Sequence, residues 1–197
     1  MLGISNIFNK DYPEFWKKYT ESFKFKATKY VVISLETSGI DPEKDVIMAI
    51  AATSVIGNRI IIKDSFELFI QRINENSSEL TNEFITVNKF EKISENDAIV
   101  TLLNYLSNSI IIGHRVNFDI EMLDKCLSRM KLGKIRNEAY DIEAMFNKLQ
   151  ETNDKSYSLE HMGKALKINL SDRNSVSDDA YSIALLFLKL KDKLGIQ

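Results

Sequence analysis

Apolar residues along this chain change their spacing several times, and each change marks an element. From Asp11 to Phe25, Tyr12, Phe15, Trp16, Tyr19 and Phe23 recur at helical spacing, the mark of an amphipathic helix. Asp11 is its expected N-cap, with Pro13 inside the first turn and Glu14 three residues after the cap. Three runs rich in β-branched residues follow, Tyr30 to Leu35, Val46 to Val55 and Arg59 to Ile70. Gly57-Asn58 is a hairpin signal between the last two, so the three runs predict an antiparallel meander. Asn74 to Asn82 is polar and reads as a loop between elements. From Ser94 the period becomes helical: Ser94 is the expected cap, Asp97 holds the capping-box position, and Ala98, Ile99, Leu102, Leu103 and Leu106 form one face. Ser109 to Gly113 reads as a short buried strand and Asp119 to Met130 as the helix after it. Further helices are expected over Asp141 to Leu149, Ser158 to Leu166 and Asp178 to Leu194. Strands first, then helices alternating with strands, predict an α/β sheet of mixed direction, with residues 1–29 as a helical extension and 30–197 as the main domain.

Composition narrows this picture without redirecting it. At 197 residues, 44% hydrophobic and 27% charged, the chain has the balance of one packed globular domain. Its longest apolar runs, such as Ser109 to Gly113, fall far short of the about 20 residues that cross a bilayer, so no membrane association is expected. The segment Met1 to Lys10 lacks the pattern of a signal peptide, and a lone Cys126 forms no internal disulfide, which together favour the cytoplasm. Cys126 falls in the helical series Met122, Leu123, Cys126, Leu127, Met130 and is expected to be a buried thiol. A formal net charge of −2 argues against tight non-specific binding of long duplex, though bound divalent cations can carry phosphate contacts themselves. Lys17, Lys18, Lys24, Lys26 and Lys29 form a strip beside the first helix, whose plainer reading is a solvated face.

Three clusters place carboxylates where elements end: Ser34-Leu35-Glu36-Thr37-Ser38-Gly39-Ile40-Asp41-Pro42, Gly113-His114-Arg115-Val116-Asn117-Phe118-Asp119, and Asp178-Asp179-Ala180. In order and spacing they resemble the DEDDh 3′-to-5′ exonuclease family, which includes the proofreading subunit of bacterial DNA polymerase III. That family's motifs read Asp-x-Glu-Thr-Thr-Gly, Gly-His-Asn-x-x-Phe-Asp and His-x-x-x-x-Asp-Ala. The resemblance runs from Tyr30 to about Leu190 and implies a ribonuclease H-like fold, a central mixed sheet of about five strands flanked by helices. It also implies that Glu36, Asp119 and Asp179 serve as catalytic and metal-holding acids, and that Thr37, His114 and Asn117 contact nucleic acid. In the family such acids hold two cations that clamp the attacking and leaving oxygens, chemistry suited to Mg²⁺ or Mn²⁺.

Two positions depart from that pattern. Ser34 stands where the family has its first Asp, and a neutral hydroxyl replaces a bridging anion. Asn174, five residues before Asp179, stands where the family has its general-base His, a group that contributes about 10² to 10⁴ in rate. One weakly bound ion, or none, is therefore expected, with phosphodiester hydrolysis weak or lost. His161, inside a helix, reads as a surface or core histidine, and Arg115 replaces the family's Asn either as a phosphate contact or as a solvated loop residue. Three functions stay open: a weakened exonuclease that still holds single-stranded 3′ ends, an active metal-dependent exonuclease with another base, and a scaffold that binds a protein through its N-terminal helix.

Overall fold

The computed structural model describes residues 11–71, 91–170 and 173–196, so the loop expected from Asn74 to Asn82 lies outside the described residues. Strands β1 (Tyr30–Thr37), β2 (Ile47–Ile56) and β3 (Arg59–Ile70) form the expected antiparallel meander. Gly57 turns the chain between β2 and β3 at φ +59°, a left-handed conformation that a residue without Cβ adopts at little cost. A two-residue β4 (Lys92–Ile93) runs parallel to β3, β5 (Ile110–Gly113) runs parallel to β1, and β6 (Ala139–Asp141) runs parallel to β5. The sheet thus has six strands in the order β4-β3-β2-β1-β5-β6. β4 and β6 raise the number above the expected five because segments this short carry no readable alternation.

Helices cover both faces. On one, α1 (Glu14–Ser22), α2 (Glu95–Leu106) and α3 (Val116–Arg129) pack with Val31, Ile33 and Ile50. On the other, α4 (Ile142–Leu149), α5 (Leu159–Leu166) and α6 (Val176–Lys193) pack with Val32, Ala49 and Ala51. Residues 31, 32 and 33 of β1 thus point to alternate faces, as a pleated strand requires. Ala49 and Ala51 of β2 share a cluster with Ala180 and Ala184 of α6, small residues that let helix and strand backbones come close. No described helix is long and apolar enough to cross a membrane.

Helix starts follow their caps where the cap is local. Ser94 accepts from the Asp97 N–H, Ser158 from the His161 N–H and Asp141 from the Glu143 N–H. Three expected starts are corrected. α1 begins at Glu14, with Pro13 at the cap position and no side-chain cap bond, because extended Pro13 (φ −56°, ψ 151°) leads directly into the helix. Asp11 instead pairs with Lys17, Oδ1 to Nζ 2.8 Å. α3 begins at Val116 and not at Asp119, since left-handed Arg115 (φ 57°) turns the chain and the distant Asp141 accepts the Val116 N–H at 3.0 Å. α6 begins at Val176, where Ser175 accepts the Asp178 N–H.

The aromatic side of α1 is spent on the core. Trp16 and Tyr19 are buried, and burial pushes the Tyr19 hydroxyl up to about 12. That hydroxyl donates to Asn137 Oδ1 at 2.7 Å and accepts the Arg136 N–H at 2.8 Å, while Asn137 Nδ2 donates to the carbonyls of Ser107 and Ser109. Cys126 is buried, and burial raises its thiol to about 12, so it stays protonated and inert near neutral pH.

Candidate active site

β1 carries the first cluster. Its side chains alternate, so Ser34 and Glu36 follow Val32 to the face covered by α4, α5 and α6. Ser34 is 8% exposed and paired in register with Ala51, and Glu36 is half-buried. The β1–β2 register shifts between Glu36 and Thr37, and there the chain leaves the sheet. Thr37 then donates its hydroxyl to the Gly39 carbonyl at 2.7 Å. Asp45, which the sequence pattern did not single out, organises this turn. Its Oδ1 accepts from Ser38 Oγ at 2.8 Å and its Oδ2 from the Asp41 N–H at 2.8 Å. A Cβ at position 39 would lie 2.5 Å from that carboxylate, which is why a glycine stands there.

The second cluster spans the turn from β5 into α3. His114 Nε2 lies 2.9 Å from the Tyr157 carbonyl, so Nε2 carries the proton and donates. His114 thereby ties this turn to the segment entering α5. Arg115 turns the same way, donating to Ser156 Oγ at 2.6 Å and to Glu143 Oε1 at 3.4 Å. Glu143 also accepts the Tyr157 N–H at 2.6 Å. Burial opposes ionisation of Glu143, but the Tyr157 N–H, Arg115 and His114 outweigh it and hold its carboxyl below the usual range. These groups border an open groove of about 570 Å³ lined by Asp141, Glu143, Asn147, Lys148, Lys155 and Ser156. Asn117 is exposed in the first turn of α3. Asp119, also in that turn, is 8% exposed, and burial together with the field of Asp141 drives its carboxyl well above the usual range. Asp141 accepts the Val116 N–H through Oδ2 and the Glu143 N–H through Oδ1, so one carboxylate starts two helices.

The third cluster opens α6. Asp178 accepts the Asn174 N–H at 3.1 Å through its Oδ2, whereas Asp179 receives Arg173 Nη1 at 2.8 Å. Adjacent residues diverge by about 100° on a helix, so the two carboxylates serve different partners. Burial raises the Asp179 carboxyl, and Arg173 reduces that rise without cancelling it. Arg173 Nη2 also donates to Glu160 of α5, and Glu67 of β3 accepts the Ser177 N–H at 3.0 Å. The exposed Asn174 side chain stands where a general base is expected and has no basic nitrogen to offer. His161 is exposed, with its ring 5.0 Å from that of Tyr157 and 6.2 Å from that of Phe146, as expected of a surface histidine.

Among the described residues, no three His, Cys, Asp or Glu side chains gather to hold a metal ion. Glu36, Asp119 and Asp179 therefore fit a metal centre poorly in this arrangement: Asp119 is buried beside Asp141, and Asp179 is taken by Arg173. Sequence reasoning missed Asp45, Asp141 as a double cap, Glu143 and Arg173. Only Arg173 left a trace, as a cation six residues ahead of Asp179.

The exonuclease family model, RNase_T, matches residues 31–187. Among curated proteins, the PolC-type DNA polymerase III of Thermotoga maritima is 28% identical over 203 residues, covering 100% of this chain and 14% of that protein. The 3′-5′ exonuclease DinG of Staphylococcus haemolyticus is 25% identical over 174 residues, covering 84% of this chain and 18% of that protein. The chain thus spans less than a fifth of the length of either relative. Among solved structures, the zinc-bound E. coli ExoI–ssDNA complex superposes with a TM-score of 0.70 at 16% identity, covering 84% of this chain and 41% of that one. Exonuclease X in complex with 5′ overhanging duplex DNA superposes with a TM-score of 0.61 at 17% identity, covering 85% of this chain and 94% of that one. The fold of this chain superposes on those structures, and the span that matches the family model runs from β1 into α6: this chain belongs to the exonuclease family.

Proposed function

We propose that this chain holds the 3′ end of a single-stranded nucleic acid at the edge of the sheet where Glu36, Asp119 and Asp179 lie, and hydrolyses its phosphodiester weakly or not at all. The observation that carries this reading is Ser34, a nearly buried neutral hydroxyl on the strand face that also carries Glu36. Family chemistry at that position calls for an anion shared between cations, and one hydroxyl supplies neither charge nor a second oxygen. Asn174 adds a second loss, and losses within one catalytic assembly do not simply sum. With Asp179 engaged by Arg173, any Mg²⁺ or Mn²⁺ is held weakly. Thr37 and Asn117 supply polar contacts to the strand, while His114 orients the turn that carries Asp119.

Strand binding draws support from the relatives, since ExoI is solved with ssDNA and exonuclease X with a duplex overhang. The scaffold reading loses its main surface, because Trp16 and Tyr19 of α1 face the core. The test is a time course on 3′-labelled and 5′-labelled single strands with Mg²⁺ or Mn²⁺. It compares the parent with Glu36→Ala and with Ser34→Asp/Asn174→His. The proposal expects binding without shortening by the parent and shortening from the 3′ end by the double variant. Shortening by the parent that Glu36→Ala abolishes would establish an active exonuclease with another base. Neither binding nor cleavage by any variant would leave the scaffold reading.

A further inference from the structure

We infer that Arg173 is a built-in cation that balances Asp179 where the family would place a metal, and that it ties the start of α6 to α5 through Glu160. The inference rests on the reading of Asp179 as the family's last acidic position. One guanidinium reaches both carboxylates: Nη1 donates to Asp179 Oδ1 at 2.8 Å, and Nη2 donates to Glu160 Oε1. Its planar fork suits two directed bonds, which a point charge does not provide. Asp178 and Glu67 stand at the same helix start, the first on the Asn174 N–H and the second on the Ser177 N–H. Four carboxylates are thus spread around the first turn of α6 and its contact with α5, and Arg173 is the cation that bonds two of them.

Metal and arginine compete for the same resource. A dication needs the oxygen lone pairs of Asp179 directed at itself, and Arg173 Nη1 already occupies Oδ1 and brings a positive charge beside the carboxylate. The replacement fits the two family positions already lost, because a site without its first Asp and its His has less use for an exchangeable metal. The bridge is partly exposed, with side-chain exposures of 26% for Arg173, 36% for Asp179 and 52% for Glu160. Partly exposed ion pairs add little to stability, so removing Arg173 leaves the fold standing and uncovers the carboxylates.

Thermal unfolding of the full chain, with no nucleic acid present, tests this. Parent, Arg173→Gln and Arg173→Lys are each scanned in EDTA and in millimolar Mn²⁺. Mn²⁺ is expected to raise the Tm of Arg173→Gln by roughly 3 °C or more and to leave the parent and Arg173→Lys where EDTA leaves them. An equal rise in the parent, or no rise in Arg173→Gln, overturns the inference. Arg173→Met, which keeps the aliphatic stem, repeats the comparison if the glutamine variant does not fold. Failure of every variant to bind a strand would sink the proposed function but would not touch this readout, so the two ideas fail separately.

Discussion

On the face covered by α1, α2 and α3, polar groups enter the interior in hydrogen-bonded sets. Tyr19, Asn137 and the carbonyls of Ser107 and Ser109 form one such set, and Ser54, Asp64 and Tyr105 form another at the sheet edge. On the opposite face, the same strand passes from Val32 to Ser34 and Glu36, and α6 opens with two carboxylates whose partners lie on a loop. Polar groups on the first face hold the helices to the sheet. On the second they sit at the rim, where a changed residue alters charge more than packing. Ser34 and Asn174 both fall outside the apolar clusters that hold the layers together, so the fold does not depend on what they carry.

The contrast can be pressed from either side. Phe187→Ala removes a fully buried ring that packs 4.9 Å from that of Tyr30, and is expected to cost roughly 3–5 kcal/mol in urea unfolding. A loss under 1 kcal/mol would mean that the α6 face contributes far less than its burial implies. Asp119→Asn probes the buried acidic pair with Asp141 by pH. Burial raises the folded Asp119 carboxyl above its unfolded value, so both states are protonated well below the usual carboxylate range and the residue is then neutral in both. As pH rises through the folded value, the unfolded chain ionises more readily and stability is lost. In EDTA, Asp119→Asn should match the parent in acid and exceed its Tm at neutral pH. Parallel pH profiles for the two proteins would refute this.

Asn137→Ala strips the Tyr19 hydroxyl of its acceptor and two backbone carbonyls of their donor, at an expected cost of about 2 kcal/mol. If α1 were only an appendage, its loss would appear as a separate early transition instead of a shift of the whole curve. The smallest effect belongs to Ser94→Ala, which removes the α2 cap and should cost about 1 kcal/mol by the same measurement. A loss above 2 kcal/mol would indicate that the hydroxyl also serves the core.

Legibility along the chain followed the range of the interactions. Ser94, Ser158 and Asp141 announce their helices because a cap bonds two or three residues ahead. The β1–β3 meander is legible because alternation and Gly57-Asn58 are also local. The start of α3 is not, because the carboxylate that caps Val116 belongs to Asp141, on a different strand. Asp11 misled for the opposite reason: a favourable local cap lost to Pro13 and found Lys17 instead.

Sequence by itself determined the fold class, most element positions, the buried faces of α2 and α3, and the order of the acidic motifs, because each is written in spacing along the chain. Only tertiary structure decided what those acids do with their charge. Asp119 meets Asp141, Asp179 meets Arg173, and Arg115 turns to Glu143 and Ser156. Electrostatic partners are chosen by distance through space, and a sheet whose β1 pairs with β5 across a long stretch of sequence brings together residues that no local pattern connects.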